Sequence, residues 1–231
     1  ANKLSAYCMI DSKSVFSAPD MDNIYKVAKH YYDQGIGTNI LKSLHIKKKP
    51  QSNNQMIKKW SKLLQNLDHP KQEVNIGVIA KYFQSGNFSL KDSYASVIEA
   101  VNHSAWARGC KPILHWIVSD NLENDKNLQE SLKKYDGLIV PQGWGSRGVE
   151  GKIKAVEIAR TNKIPYLGLC FGMQMAVIEY ARNVAKLKGA NSTEVDPKTS
   201  FPVIHMMEDQ KQNILDKNYG GTIRLGAYPC K

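Results

Sequence analysis

The sequence predicts an α/β fold in which helices cover both faces of a parallel sheet. From Val74 onward, short apolar runs alternate with longer segments of helical period, and this alternation is typical of parallel strands joined by right-handed crossovers. The last apolar run, residues 164–169, turns at Cys170 directly into a segment of helical period. Active sites in such sheets lie at the carboxyl ends of the strands, so we expect the functional site there.

The elements are expected in the following order. Before Val74 the pattern predicts a strand over residues 3–10, a helix over 22–34 that Gly35 stops, a helix over 38–45 and a helix around Trp60, Leu63, Leu64 and Leu67. From Val74 it predicts strands over 74–80, 113–118, 137–141 and 164–169, and helices over 92–107, 125–134, 149–161 and 173–186. The last helix carries one apolar face of Met173, Ala176, Val177, Tyr180, Ala181 and Val184. Beyond residue 187 the pattern predicts only short strands and turns.

Composition narrows the class of protein. The chain has 231 residues, of which 42% are hydrophobic, enough for a packed core, and no apolar run approaches the length of a membrane span. Its first residues lack the pattern of a signal peptide. The cysteine pattern makes a reducing cytoplasm the default expectation. The absence of an initiator Met suggests a processed or excerpted chain. Four cysteines lie far apart without Cys-x-x-Cys pairs, so neither a disulfide framework nor a zinc site is expected.

The chain is basic, with a formal net charge of +11. Nucleic-acid binding is one interpretation of such a charge. However, the positive residues are scattered apart from Lys47, Lys48 and Lys49, and they do not form a basic stripe interleaved with aromatic residues. A solvated basic surface that attracts small phosphorylated substrates is therefore favoured, and neither a nucleic-acid partner nor a membrane partner is expected.

The turn at Cys170 carries the most specific motif. Gly168, Cys170 and Gly172 form Gly-x-Cys-x-Gly, the cysteine version of the nucleophile elbow between a strand and a helix. Such a turn holds its central residue in a strained backbone conformation, and the flanking glycines let the strand and the helix cross closely. The alternative is a small hydrophobic cysteine in a core, which describes most free cysteines.

The elbow and its surroundings resemble the class I glutamine amidotransferases, and within that class the CTP synthase family. The resemblance runs in register over nearly the whole chain. The segments that carry it are residues 74–82, 94–100, 136–152, 164–174, 191–194 and 220–226. It implies a domain organisation in which residues 1–45 are the tail of a second α/β domain, the synthetase (amidoligase) domain. Residues 46–73 are then an interdomain linker, and residues 74–231 an amidotransferase domain truncated at its carboxyl end.

The resemblance also implies roles for residues around the elbow. Cys170 is the nucleophile that forms a thioester with glutamine, and the amides of Gly143 and Phe171 stabilise the oxyanion. The remaining residues with a glutamine-binding role are Trp144, Gly172, Met173, Gln174 and Glu194. Without the resemblance, the loop at Gly143 reads as an ordinary strand-to-helix turn and Glu194 as a solvated turn acid. In the family this loop has two adjacent glycines, and Gln142 replaces the first.

Nucleotide sites are implied in the same way. Asp20 and Met21 match positions near the ATP adenine, and Arg147 and Glu150 match positions associated with GTP, the allosteric activator. Read alone, Arg147 and Glu150 could simply be a surface pair, and Asp22 is as much a helix cap as a ligand.

The resemblance implies a homotetrameric enzyme that aminates UTP to CTP with ATP, Mg²⁺ and ammonia from glutamine. None of the six histidines matches the catalytic His of the family, whose His–Glu pair lies far beyond the nucleophile, and the phosphate-binding loop has no counterpart. The chain is then an excerpt, or its glutaminase cannot turn over. The alternative function is a catalytically impaired homologue that acts as a regulatory or assembly module.

Overall fold

The computed structural model of the chain describes residues 1–47, 54–81, 84–85, 88–89, 91–205 and 207. Several residues used above lie outside them, namely Lys48, Lys49, Tyr82, Cys230 and residues 220–226. The chain divides into two compact units: residues 1–73 with 101–111, and residues 74–100 with 112–231.

The first unit is mainly helical. Its helices are α1 (Asn2–Cys8), α2 (Tyr25–Asp33), α3 (Ile36–Ser43) and α4 (Asn54–Asp68). Gly35 adopts the left-handed conformation between α2 and α3, as expected of a stop signal. Within this unit, the Trp60 indole N–H donates to the Tyr25 carbonyl oxygen at 3.1 Å, which ties α4 to the start of α2.

Two local predictions in the first unit are wrong. Residues 2–8 form α1, not a strand, and none of its residues is buried. The elements described over residues 1–47 are helical, so they offer no neighbouring strand, and the backbone satisfies itself in helical bonds such as Ser5 N–H to Ala1 at 3.0 Å. Asp22 does not cap α2, because it pairs with Lys26 at 2.8 Å, while the Asn23 side chain accepts from the Tyr25 N–H.

The second unit is built on a sheet whose strand order is β4-β1-β5-β6. The strands are β1 (Gln72–Ala80), β4 (Cys110–Val118), β5 (Gly137–Val140) and β6 (Tyr166–Gly168), and the short pairs are β2 (Gln84–Ser85) with β3 (Phe88–Ser89) and β7 (Asn191–Ser192) with β8 (Pro202–Ile204). β1 pairs with β5, and β5 with β6, in parallel. The parallel sheet predicted from the sequence is confirmed.

Helices follow these strands in the expected order: α5 (Ala95–Ala107), α6 (Lys126–Ser131), α7 (Val149–Thr161) and α8 (Phe171–Asn183). The helix expected over 125–134 is shorter, because α6 ends at Ser131 and a 3₁₀ turn covers Leu132–Lys134. Two apolar clusters hold them. One cluster joins the sheet to α7, and the other joins α7 to α8 through Val149, Ile153, Val156, Phe171, Met175 and Ile178. A bidentate ion pair between Arg160 and the buried Glu179, with its closest contact at 2.7 Å, also links the two helices.

The strand order places a topological switch point between β1 and β5. The chain moves from β1 outward to β4 on one side, then returns to β5 and β6 on the other. Ligands of doubly wound sheets bind outside the carboxyl ends of strands at such a point. The residues that follow β1 and β5, Lys81 and the loop 141–148, therefore border the expected site.

The apolar face predicted for α8 is wrong for four of its six residues. Met173, Val177, Tyr180 and Val184 are exposed, while Ala181 of that face is buried and Ala176 is half-buried. The other buried apolar residues of the helix are Phe171, Met175 and Ile178. The helix begins at Phe171, directly after the turn, and the turn fixes which face meets α7. Tertiary packing thus sets the rotation of the helix, and the apolar periodicity of the sequence was compatible with two faces.

No described helix is both long enough and apolar enough to cross a membrane.

Candidate functional site

The turn between β6 and α8 is the centre of the site. Cys170 has φ 52° and ψ −105°, a backbone conformation that is neither helical nor extended and that costs a non-glycine residue about 1–3 kcal/mol. Its side chain is exposed. The predicted strained elbow is therefore present, and it holds the sulfur at the amino end of α8, on the surface of the protein and not in its core.

Two glycines make the elbow possible. A Cβ added to Gly172 would lie 1.9 Å from the Val140 carbonyl oxygen, and one added to Gly168 would lie 2.6 Å from the Gly172 carbonyl carbon. Both distances are far below a van der Waals contact. Glycine at position 172 therefore lets α8 begin in contact with the end of β5. Glycine at position 168 lets the end of β6 lie close to the first turn of α8.

Hydrogen bonds fix the elbow on both sides. The Leu169 N–H donates to the Val140 carbonyl at 2.9 Å, which joins the turn to β5. The Tyr166 hydroxyl donates to the Gly172 carbonyl at 2.8 Å. Burial raises the pKa of Tyr166, so its hydroxyl is protonated at neutral pH and can donate this bond.

The amide of Phe171 is a candidate oxyanion donor. It belongs to the first turn of α8, where backbone N–H groups have no helical acceptor, and the hydrogen bonds of the described residues include none donated by it or by the Gly143 amide. Gly143 lies close to Phe171, since a Cβ added to Gly143 would lie 3.7 Å from the Phe171 ring. The structure therefore brings together the two residues whose amides the resemblance assigns to the oxyanion.

The loop 141–148 is anchored from two other elements. The Lys81 ammonium donates to the Trp144 carbonyl at 2.6 Å, and the Gly145 N–H donates to a Glu194 carboxylate oxygen at 2.7 Å. Gln142 is not among the residues with positive φ, so its backbone does not adopt the left-handed conformation that would favour glycine. The loop accommodates the departure from a double glycine without backbone strain at that residue.

Trp144 belongs to this loop, and Glu194 contacts the loop at Gly145. Glu194 is half-buried, and one of its carboxylate oxygens accepts a hydrogen bond from the Gly145 N–H, so it is not a free turn acid. Trp144 is half exposed. On α8, Met173 is exposed, while the Gln174 side-chain oxygen is buried without a hydrogen-bond partner among the described residues.

Arg147 and Glu150 do not pair with each other, so the surface pair that the sequence allowed as an alternative is not formed. Arg147 pairs with Asp120 at 2.9 Å and donates to the Lys81 carbonyl at 3.1 Å. Glu150 pairs with Arg182 at 2.8 Å. The two side chains contact different parts of the chain, because α7 begins between them at Val149 and points them in different directions.

Asp20 and Met21, the positions expected near adenine, lie in the first unit. Asp20 is exposed and Met21 is half-buried, on the segment that leads into α2.

The sequence analysis missed two lysines at the site. Lys81 is buried directly after β1, and burial together with the Arg147 charge lowers its pKa. Lys152 is fully buried on α7, and burial together with the Lys81 charge lowers its pKa to about 8. The signal for Lys152 was its spacing, because it falls on the same helical face as Val149, Ile153 and Val156.

Cys170 does not line either of two concavities on the surface of the described residues. These concavities, of about 780 and 290 Å³, are lined by residues around Asn124 and around Glu157. No group of three or more His, Cys, Asp or Glu side chains in the described part of the chain could hold a metal ion. Cys8, Cys110 and Cys170, the described cysteines, are free thiols.

Comparisons with known proteins show the family of the chain. Residues 89–220 match the family model described as glutamine amidotransferase class-I. CTP synthase of Clostridium acetobutylicum is 44% identical over 230 residues, which are all but one residue of this chain and 41% of that protein. CTP synthase of Onion yellows phytoplasma is 43% identical over 229 residues, or 40% of its length. The chain thus spans about two fifths of these relatives.

A solved structure matches the fold. The glutaminase domain of Trypanosoma brucei CTPS, solved with bound acivicin, superimposes with a TM-score of 0.54 and 37% identity, covering 58% of this chain and 50% of that one.

Proposed function

Because the chain belongs to the class I glutamine amidotransferase family, we propose that its second unit releases ammonia from glutamine with Cys170 as the nucleophile. In this proposal the chain is part of a CTP synthase, in which the ammonia aminates UTP to CTP with ATP. The observation that carries it is the exposed, strained Cys170 at the amino end of α8, beside the Gly143 and Phe171 amides, which have no acceptor among the described residues.

The chemistry follows from that arrangement. The Cys170 thiolate attacks the carboxamide carbon of glutamine, a carbon–sulfur bond forms, and the carbonyl oxygen becomes an oxyanion that accepts from the Gly143 and Phe171 amides. The carbon–nitrogen bond then breaks, nitrogen leaves as ammonia with an added proton, and water hydrolyses the thioester to glutamate. Losing one oxyanion donor typically costs about 2.7–4 kcal/mol of transition-state stabilisation.

Activation of the thiol needs more than the helix. An unperturbed cysteine has a pKa of about 8.5, and a helix amino end offers an exposed anion about 0.3–1 kcal/mol, which lowers a pKa by less than one unit. A basic partner must supply the rest. In the family this is a His–Glu pair, and the proposal assigns the proton transfers to that pair and not to any of the six histidines of this chain.

Glutamine recognition is assigned to the residues around the loop. Glu194 has a second carboxylate oxygen for the substrate ammonium, because the Gly145 N–H is bound at the first. The unpartnered Gln174 oxygen is a second polar group for the substrate. Trp144 and Met173 provide exposed apolar surface to cover the substrate side chain, and Gly172 keeps the start of α8 close enough for the Phe171 amide to reach the oxyanion.

The nucleotide functions are part of the same proposal. Asp20 and Met21 are assigned to ATP, and Arg147 and Glu150 to the activator GTP, in a homotetramer that uses Mg²⁺. No group of three or more His, Cys, Asp or Glu side chains among the described residues could hold that ion.

Covalent labelling tests the glutaminase proposal. Acivicin, which is bound in the Trypanosoma brucei domain, should modify Cys170 in a chain extended to include the His–Glu pair of the family, and should leave the exposed Cys8 and the buried Cys110 unmodified. Iodoacetamide, which needs only access, should label Cys8 and Cys170. Peptide mass spectrometry reads both patterns, and Cys170→Ser should abolish the acivicin adduct while Cys8 still reacts with iodoacetamide.

The competing function is a regulatory or assembly module without glutaminase activity. The substitution of Gln142 for a loop glycine favours it. Acivicin that labels no cysteine, or labels Cys8 as fast as Cys170, would favour that module over the enzyme.

A further inference from the structure

Lys152 is the most unusual buried group in the described part of the chain. It lies in α7 with its side chain fully buried, and its ammonium has no hydrogen-bond partner among the described residues. Lysines are almost never fully buried unless they are paired, since removing an ammonium from water without hydrogen bonds costs several kcal/mol. A purely structural position would be filled more stably by an apolar side chain.

The Lys152 ammonium lies next to the proposed oxyanion site. The Lys152 nitrogen lies 3.1 Å from the point where a Cβ on Gly143 would stand, and 5.0 Å from the centre of the Phe171 ring. It is therefore adjacent to both residues whose amides form the proposed oxyanion site. The Phe171 ring gives the cation a favourable face but no hydrogen bond.

The neighbouring charges do not neutralise it. Asp120 is the carboxylate that acts on Lys152, while Lys81 repels it. One Asp120 oxygen is taken by Arg147 and the other is buried without a partner. The positive charge of Lys152 is thus held in a buried environment and left uncompensated by direct contact.

We propose that Lys152 is a positioning residue of the oxyanion site: its buried ammonium fixes Gly143 against Phe171 and adds positive potential where negative charge develops. The inference rests on the proposed function, because it uses the same two amides. A charge in a region that excludes water acts more strongly than one in solvent, so the effect should be largest on a tetrahedral oxyanion and small on the sulfur itself.

Two probes separate these effects in a chain extended to include the His–Glu pair of the family. L-Glutamate γ-semialdehyde adds reversibly to a thiolate: a carbon–sulfur bond forms, and the aldehyde oxygen carries the charge until it takes up a proton. Iodoacetamide alkylates sulfur by displacing iodide and develops no such oxygen. Protection of Cys170 from iodoacetamide by the semialdehyde, followed on the Cys170 peptide by mass spectrometry, gives the dissociation constant of the adduct.

Lys152→Met should weaken semialdehyde binding by about tenfold or more at pH 7, while the iodoacetamide rate at Cys170 changes less than twofold. Lys154→Met is the matched control, because it removes the same charge from the same helix at a half-buried ion pair with Glu157, away from Gly143 and Phe171. That variant should bind the semialdehyde as the unsubstituted chain does. Lys152→Met should also melt no lower than the unsubstituted chain, which excludes unfolding as the cause.

The other outcomes overturn the inference. Equal semialdehyde binding in Lys152→Met removes the role of Lys152 and leaves the glutaminase proposal intact. If Lys152→Met lowers the semialdehyde affinity and the iodoacetamide rate by the same factor, Lys152 acts on the sulfur. If Lys152→Met melts at a lower temperature than the unsubstituted chain, Lys152 contributes to packing. If the unsubstituted chain forms no adduct at Cys170, the proposed function and the inference fail together.

Discussion

Gly172→Ala tests whether the close approach of α8 to β5 creates the elbow. The added Cβ would lie 1.9 Å from the Val140 carbonyl oxygen, so the two must separate by at least about 1.1 Å to reach even the 3.0 Å below which real Cβ atoms essentially never come. That carbonyl accepts from the Leu169 N–H at 2.9 Å. The separation would therefore break the bond that joins the turn to β5.

The expected cost combines two effects. Overpacking of a close contact costs about 1–3 kcal/mol, and loss of the hydrogen bond adds about 0.5–1.5 kcal/mol. Gly172→Ala should therefore lower the free energy of unfolding by about 2–4 kcal/mol, measured by urea denaturation with circular dichroism. The folded variant should also react with acivicin at least about tenfold more slowly, because a shift of about 1 Å at a reacting centre has an effect of that order or more.

Gly137→Ala is the matched control. Gly137 lies in the same sheet, and a Cβ there would be 3.4 Å from Ile76 and 3.5 Å from the Pro165 carbonyl, both tolerable contacts. It should change the free energy of unfolding by less than about 1 kcal/mol. If Gly172→Ala unfolds and reacts like the unsubstituted chain, the close approach does not shape the nucleophile turn.

Three further predictions concern the ion pair, the strain and the substrate carboxylate. Burial raises the pKa of Glu179, but hydrogen bonds from Arg160 and Asn183 hold it below its usual value. Arg160→Ala should lower the free energy of unfolding by about 2–4 kcal/mol, measured by urea denaturation at pH 7. Glu150→Ala, at an exposed pair with Arg182, should lower it by less than about 1 kcal/mol. Because a lowered carboxyl pKa stabilises the fold only above the ordinary pKa of glutamate, the cost of Arg160→Ala should shrink as the pH falls through the folded pKa of Glu179, and a constant cost would contradict the assigned pair. Cys170→Gly should raise the free energy of unfolding by about 1 kcal/mol, since glycine adopts positive φ without strain; an unchanged or lower value would show that Cys170 is not strained. Glu194→Gln keeps an acceptor for the loop but removes the charge for the substrate ammonium, so it should slow acivicin labelling about tenfold or more at unchanged stability, and normal labelling would refute that role.

Local sequence patterns were sufficient for the sheet and the elbow. Alternating strand and helix periods predicted β1, β4, β5, β6 and the helices between them, because each buried face needs apolar residues at the period of its element. The helix α7 was predicted with its observed bounds, Val149–Thr161. Gly168 and Gly172 around Cys170 predicted the turn because only glycine permits so close a crossing.

Only the tertiary structure decided which groups face one another. It rotated α8 so that Met175 and not Tyr180 is buried, turned residues 2–8 into a helix, and paired Arg147 with Asp120. It also placed the Lys152 ammonium beside Gly143 and Phe171, residues from two other segments of the chain. Periodicity fixes the spacing of side chains along one element, whereas the contacts between elements depend on their packing, which the sequence of a single element does not contain.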